Sequence, residues 1–276
     1  MILNQKIKSL YGLKWNPFTS DLPIEGMASP QKWDQIFWRI ENLVMDGGFA
    51  LIQGASGLGK SIFMRALYDR LTKIRDIQVQ VLGRPQSGAA DFYRELGHLF
   101  NVPLTPSNRW GGFMKLREKW LEQIRGSMLR PVLLIDEAQE MNPVVMSELR
   151  LLCSKQFDSQ ILLTVIMAGD HRLSEKLKEP DLIPLGTRFR SRMLLEPMSK
   201  EELISLLTET TTKAGCPHLL TDEVKLTLAE HSLQNPRIMM GQAAELLSYA
   251  AHRDVRQIDV ELFFELYPPP TRKSKK

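Results

Sequence analysis

Gly54-Ala55-Ser56-Gly57-Leu58-Gly59-Lys60-Ser61 constrains this chain more than any other stretch of it. The octapeptide meets the pattern G-x-x-x-x-G-K-[ST] at every position, and that pattern works only between a strand and a helix. Phe49 to Gln53 supplies the strand, a short apolar run ending in a glycine turn, and Ile62, Phe63, Ala66, Leu67 and Leu71 recur behind it at helical spacing. The glycines let backbone N–H groups curl round phosphate oxygens at a helix N-terminus, where the helix dipole favours negative charge. Lys60 adds a cation for the β and γ oxygens, and the Ser61 hydroxyl can complete a Mg²⁺ shell. The expected ligand is a nucleoside triphosphate, ATP with Mg²⁺, held by residues 54–61.

Val132-Leu133-Leu134-Ile135-Asp136-Glu137 is the second constraint. An apolar run without alternation reads as a central parallel strand buried on both faces. Two adjacent carboxylates are costly inside a core, but at the C-terminal end of such a strand they reach the crevice where open α/β sheets bind ligands. Asp136 is then the Mg²⁺ partner. Glu137 is the base or orienter of the attacking water, because phosphoryl transfer asks of a protein mainly positioning and charge stabilisation.

The rest of the chain alternates in the same way. Residues 1–30 read as an irregular extension with turns at Asn16-Pro17 and Leu22-Pro23, and Ser29-Pro30 reads as the cap of a helix carrying Ile36, Phe37, Ile40, Leu43 and Val44. A strand over Ile77–Leu82 is followed by Arg84-Pro85-Gln86-Ser87-Gly88 and a helix with Phe92, Tyr93, Leu96, Leu99 and Phe100 inward. A polar loop from Pro103 to Gly112 leads to a helix with Phe113, Leu116, Trp120 and Ile124, in which Trp110 just upstream is expected to pack. After the Asp-Glu strand come a helix through Met146, Leu149 and Cys153 and a strand over Ile161–Ala168. Strand and helix in alternation around a phosphate loop predict an α/β fold over residues 31–197, three layers with a parallel central sheet. From Pro197 the strand signals stop. Ser199-Lys200-Glu201-Glu202 fits a capping box that opens the first of about four helices, a small α-helical lid over 198–266, with a basic tail over 267–276.

Composition narrows the function classes. The 276 residues, 43% hydrophobic, suffice for one large domain and a small one. Cys153 and Cys216 lack C-x-x-C spacing and the five histidines are scattered, which argues against a disulfide frame or a zinc site. The longest apolar stretch, Ile161–Gly169, is too short to span a bilayer, and the N-terminus lacks the features of a secretory signal, so a cytoplasmic protein with no membrane contact is expected. A net charge of +4 is compatible with nucleic acid.

Gly186-Thr187-Arg188-Phe189-Arg190-Ser191-Arg192 concentrates three arginines, and Asn235-Pro236-Arg237 starts a lid helix with another. In this order, phosphate loop, Asp-Glu strand, arginine cluster and Pro-Arg at a lid helix, the chain resembles AAA+ ATPases over most of residues 10–265. Tyr11-Gly12-Leu13-Lys14-Trp15-Asn16-Pro17-Phe18 looks like the start of the ExeA-like branch, which is similar to the TnsC, TniB and IstB regulators of DNA transposition. The resemblance implies the Walker roles for Lys60, Ser61, Asp136 and Glu137, the arginine finger for Arg188 or Arg190, and the second sensor for Arg237. It places the first sensor at Asp170, after Ala168-Gly169, where the family usually has Asn, Thr or Gln.

It also implies a slow, assembly-dependent ATPase that forms a ring or helical filament of identical subunits on duplex DNA and recruits a transposase. Arg84 and Gln86 after the second strand, and Asn108, Arg109 and Lys115 further on, would then hold phosphates without reading bases. Two readings stay open beside it. A secretion ATPase of the ExeA kind should continue into a membrane span and an envelope-binding domain, where this sequence has a basic tail. A nucleotide-switched scaffold would need no DNA.

Overall fold

The structure is a computed structural model, and it describes residues 2–104, 109–155 and 159–268. The basic tail from Arg272 lies outside the described residues. The chain divides into two compact units, residues 31–196 and residues 1–30 with 197–276.

The first unit is a sheet between two helical layers. Its elements in chain order are α2 (Lys32–Asp46), β1 (Phe49–Gln53), α3 (Lys60–Thr72), β2 (Ile77–Val81), α4 (Ala89–Leu99), α5 (Arg109–Glu122), β3 (Arg130–Ile135), α6 (Pro143–Leu152), β4 (Ser154–Lys155), β5 (Gln160–Ile161), β6 (Thr164–Gly169), α7 (His171–Lys176), α8 (Ile183–Gly186) and β7 (Phe189–Leu194). Five strands pair in the order β2-β3-β6-β1-β7, every pair parallel. The predicted α/β class and parallel sheet are thus observed.

Successive side chains of a strand point to opposite faces, so each central strand must be apolar at every position to be dry on both. Phe49, Leu51, Leu133, Ile135, Val165 and Met167 join one core with Phe92, Leu96, Leu116, Trp120 and Leu149 from α4, α5 and α6. Ala50, Ile52, Val132, Leu134, Ile166 and Ala168 join the other with Trp33, Phe37, Ile40, Phe63 and Leu67 from α2 and α3. The second core is aromatic at its centre, with Phe37 stacked on Phe63 at 4.8 Å and Trp33 edge-on to Phe63 at 5.2 Å.

Several local expectations are corrected. The apolar run 161–169 is not one strand: Gln160–Ile161 turns back to pair antiparallel with Ser154–Lys155, and the central strand begins at Thr164. The arginine cluster runs into a strand that the sequence reading did not assign: Arg190 and Arg192 lie within β7, an edge strand on the far side of β1. Helix α2 starts at Lys32, two residues later than a Ser29-Pro30 cap would place it. Helix α5 starts at Arg109, inside the expected loop.

The second unit is helical. It holds α1 (Ile2–Tyr11), α9 (Lys200–Lys213), α10 (Asp222–His231), α11 (Pro236–His252) and α12 (Val260–Leu266). The capping box at α9 is present, with the Ser199 hydroxyl accepting from Glu202 N–H and the Glu202 carboxylate accepting from Ser199 N–H. Residues 2–11 are helical rather than irregular, and Ile7, Tyr11, Leu13 and Phe18 are buried with Leu203, Leu207, Leu246 and Leu247. Tyr11 donates to Val255 O at 2.7 Å, and Lys14 N–H to Ala214 O at 2.9 Å. Burial and the nearby Asp254 carboxylate push the Tyr11 phenol up to about 12. Gly26 lies under the Trp15 ring, where a Cβ would stand 2.8 Å from Cε2.

Trp120 tests the first core. It is fully buried, edge-on to Phe100 at 5.2 Å, and its indole N–H has no hydrogen-bond partner among the described residues. Trp120→Ala should destabilise by about 3–5 kcal/mol. Trp120→Phe should cost less than about half of that, since it also removes an unsatisfied donor that costs roughly 1–3 kcal/mol. Equilibrium urea unfolding of the two variants checks the ratio.

Candidate nucleotide-binding site

Three glycines shape the phosphate loop. Gly57 and Gly59 take left-handed angles (φ 85° and 92°), and Gly59 caps α3 in that conformation. A side chain there is strained, which is why the motif needs glycine. Gly54 is confined instead by its neighbours: its N–H donates to Gly169 O at 3.2 Å, and a Cβ on it would meet the Leu195 Cβ and carbonyl oxygen at 3.1 Å. Leu195 is itself held by an N–H bond to Gln53 O at 2.7 Å.

Lys60, the first residue of α3, is only 6% exposed. Its ammonium donates to Gly54 O at 3.0 Å and Ala55 O at 3.1 Å. These neutral carbonyls satisfy hydrogens without compensating the charge, and a buried charge is costly until it is paired. An anionic phosphate supplies what the carbonyls cannot, so the loop fits the triphosphate that its sequence implies. Ser61 follows with an exposed side chain.

The carboxylates stand at the same edge of the sheet. Gln53 pairs with Gly169 and Ile135 with Met167, so β1, β6 and β3 end at the same edge, with Gly54, Asp170 and Asp136 next beyond them. The Asp136 carboxylate accepts the Glu137 N–H at 2.9 Å. Glu137 is left-handed (φ 50°, ψ 40°), a conformation that costs a non-glycine residue roughly 1–2 kcal/mol and commonly marks a functional turn. No group of three or more His, Cys, Asp or Glu among the described residues is placed to cage a metal. Mg²⁺ commonly takes only one or two protein ligands and finds the rest in water and phosphate, a need that Ser61 and Asp136 match.

Asp170 caps α7, its carboxylate accepting Arg172 N–H at 2.9 Å and the Arg172 guanidinium at 2.9–3.2 Å. Burial works to raise its carboxyl, but the Arg172 hydrogen bonds and charge outweigh burial and hold it below the ordinary value. Gln139 is a site residue that the motifs do not single out. This buried side chain donates to the Glu137 carboxylate and accepts the Asp170 N–H at 3.3 Å, so it joins the ends of β3 and β6. An amide two places after the carboxylate pair, between Ala138 and Glu140, was the available signal.

The arginines differ in their surroundings. Arg188 precedes β7, half-buried, and donates to Arg150 O at 3.1 Å and Ser154 Oγ at 3.2 Å. Arg192 donates to Gly186 O at 2.7 Å. Arg190 is exposed on β7. Arg237 is exposed at the second position of α11 in the helical unit, its N–H bound by Asn235 Oδ1 at 3.0 Å.

Of the phosphate-contact candidates, Arg84 and Gln86 are exposed on a turn closed by Ser87 N–H to Arg84 O at 3.1 Å. Arg109, 54% exposed, opens α5 and lies 3.8 Å from the Glu148 carboxylate, and Lys115 is exposed further along the helix. Asn108 lies outside the described residues. Trp110 does not pack in the core: it is 72% exposed and stacks on Phe113 at 5.6 Å. No helix among the described residues is long and apolar enough to cross a membrane.

Residues 44–177 match the family model described as an AAA domain. General secretion pathway protein A of Aeromonas hydrophila is 28% identical over 198 residues, 70% of this chain and 35% of that protein. The chain therefore spans about a third of that relative's length. The crystal structure of Cdc6p from Pyrobaculum aerophilum is similar with a TM-score of 0.69 at 14% identity, covering 88% of this chain and 67% of that one. The Aeropyrum pernix Orc1 protein, solved in complex with DNA, gives 0.66 at 14% identity over 91% of this chain and 68% of its own. At these identities the structural likeness is one of fold. The residues that match the AAA domain include both the phosphate loop and the Asp136-Glu137 pair.

Proposed function

We propose that this chain hydrolyses ATP, slowly and in an assembly-dependent way, as an AAA+ regulator that oligomerises on duplex DNA and recruits or activates a transposase. The observation that carries the ATPase reading is that a buried, charge-uncompensated Lys60, after the loop that follows β1, and the Asp136-Glu137 pair at the end of β3 stand at the same edge of the sheet, with only β6 between the two strands. DNA enters through the Orc1 neighbour, a protein solved with DNA, and through the exposed Arg84, Gln86, Arg109 and Lys115. Transposition rests on the resemblance of the opening motif and the arginine order to TnsC, TniB and IstB.

In this reading the N–H groups of residues 54–61 and Lys60 hold the triphosphate, and Ser61 and Asp136 hold Mg²⁺, which when bound neutralises charge on the β and γ oxygens. Glu137 orients water toward the γ-phosphorus and takes its proton as the bond to the bridging oxygen breaks, releasing ADP and phosphate. Asp170 and Arg237 take the sensor positions. Arg190, exposed on the edge strand, is the better finger for a neighbouring subunit. Arg188 is already engaged within its own chain.

The Aeromonas relative favours a second reading, an ATPase serving secretion at the inner membrane. Electron microscopy of the protein with duplex DNA and a slowly hydrolysed ATP analogue separates the two: ordered assemblies on DNA support the first, and their absence favours the second. In both readings the ATPase works in the cytoplasm.

Lys60→Ala should abolish ATP binding, while Glu137→Gln should keep it and slow hydrolysis by about 10²–10⁴-fold, the usual contribution of a positioned base. Nucleotide titration and phosphate release measure the two effects separately, and equal assembly of both variants on DNA would refute a nucleotide switch.

Arg190→Ala mixed with Lys60→Ala protein should recover turnover as intact half-sites meet, since a finger contributes about 10³–10⁵-fold. Arg188→Ala should instead lower stability by roughly 1–3 kcal/mol through lost hydrogen bonds. Recovery by the Arg188 variant alone would reverse the assignment.

DNA affinity should fall with salt at a log–log slope of about −0.9 per neutralised phosphate. Replacing Arg84, Arg109 and Lys115 with Ala should flatten the slope by about one unit per residue that truly makes a contact, with ATP binding intact. An unchanged slope removes these side chains from the interface.

A further inference from the structure

Gln139 occupies a position that only an amide can fill. It is 4% exposed, and the two ends of its amide have different partners: Nε2 donates to the Glu137 carboxylate and Oε1 accepts the Asp170 N–H at 3.3 Å. A carboxylate at position 139 would repel Glu137, and an aliphatic side chain would leave the part-buried Asp170 N–H and the Glu137 carboxylate without this partner. The site is built around the amide. Gly169 has no Cβ, and one added there would stand 2.6 Å from Gln139 Oε1. On the backbone side, the Lys176 ammonium donates to Gln139 O at 2.5 Å and Met141 O at 2.9 Å, clamping the turn that presents the amide. Arg172 adds a second, exposed link between the same two segments, bonding Asp170 and lying 3.1 Å from Glu140.

We infer that Gln139 is a positioning residue for hydrolysis: it fixes the orientation of the Glu137 carboxylate and ties it to the end of β6, which lies beside the phosphate loop. The inference rests on the ATPase reading, in which Glu137 acts on the attacking water. Glu137 is exposed and sits on a left-handed turn, so without the amide its carboxylate samples other rotamers and is less often aligned. Movement of Gly169 or Asp170 is transmitted to Glu137 through one buried hydrogen-bonded side chain rather than through the solvent.

The test uses the full chain with duplex DNA and measures ATP binding, kcat and KM for Gln139→Leu, Gln139→Glu and Glu137→Gln, and for Gln139→Leu combined with Glu137→Gln. Gln139→Leu and Gln139→Glu should each lower kcat by about tenfold or more, part of the contribution of a positioned base, with ATP affinity within about twofold of the parent. In the Glu137→Gln background, Gln139→Leu should have no further effect on the residual rate, because the group it positions is gone. A merely structural glutamine would instead weaken ATP binding or lower the rate equally in both backgrounds, and either result overturns the inference. If Gln139→Leu does not fold, Gln139→Glu, equal in shape, carries the test against its own Glu137→Gln double variant. Failure of Glu137→Gln to slow hydrolysis would sink the ATPase assignment itself, whereas a slow Glu137→Gln beside an unimpaired Gln139→Leu sinks only the positioning role.

Discussion

The hydrogen bond from Gly54 N–H to Gly169 O sets the geometry on which the rest of the site depends. It extends the β1–β6 ladder one residue past the strand, just where the chain must leave the sheet to form the phosphate loop. Leu195 bonds to Gln53 from the opposite side, so β1 is gripped by parallel neighbours up to its last residue. A loop launched from a strand held on both edges has little freedom in its starting direction. The dry cores on the two faces supply the stiffness, and a Cβ would be tight at Gly54, 3.1 Å from Leu195, and at Gly169 would displace the Gln139 amide, 2.6 Å away.

Much of the sheet was legible because buried parallel strands have no choice of composition. Phe49–Gln53 and Val132–Ile135 are apolar on both faces and could be read as central strands without their neighbours. Edge strands obey a looser rule, and there the reading failed. Phe189 to Leu194 alternates buried and exposed, a period-two pattern expected of a strand covered on one face, but its arginines drew it into an electrostatic cluster. Charged side chains on an edge also discourage pairing with other chains, so their presence was compatible with a strand all along. The run 161–169 misled in the opposite sense, since Leu162 and Leu163 are buried without lying in any strand.

The carboxylates and the lysine of the candidate site were legible, and the amide between them was not. Lys60, Asp136 and Glu137 belong to patterns with fixed spacing, whereas Gln139 gains its meaning from Asp170, thirty-one residues away in sequence and adjacent only in the folded sheet. Arg188 and Trp110 show the same limit from the other side. The arginine selected for its charge is held by a carbonyl and a hydroxyl of its own chain, and the tryptophan assigned to packing is exposed on α5. Residue type alone does not distinguish a guanidinium that stitches two loops from one that awaits a phosphate.

The opening motif Tyr11 to Phe18 owes its pattern to the helical unit, where Tyr11, Leu13 and Phe18 are buried among residues from α9, α10 and α11. That unit is assembled from the first 30 residues and those after 196, with the whole sheet unit lying between them in sequence. During synthesis the first helix therefore leaves the ribosome long before any surface that can cover Ile7 or Tyr11. At about 5–20 residues per second, it must wait on the order of ten to forty seconds for its partners. The sheet unit, contiguous in sequence, can complete its core in that interval. An amphipathic segment left uncovered for so long is a natural handle for a chaperone.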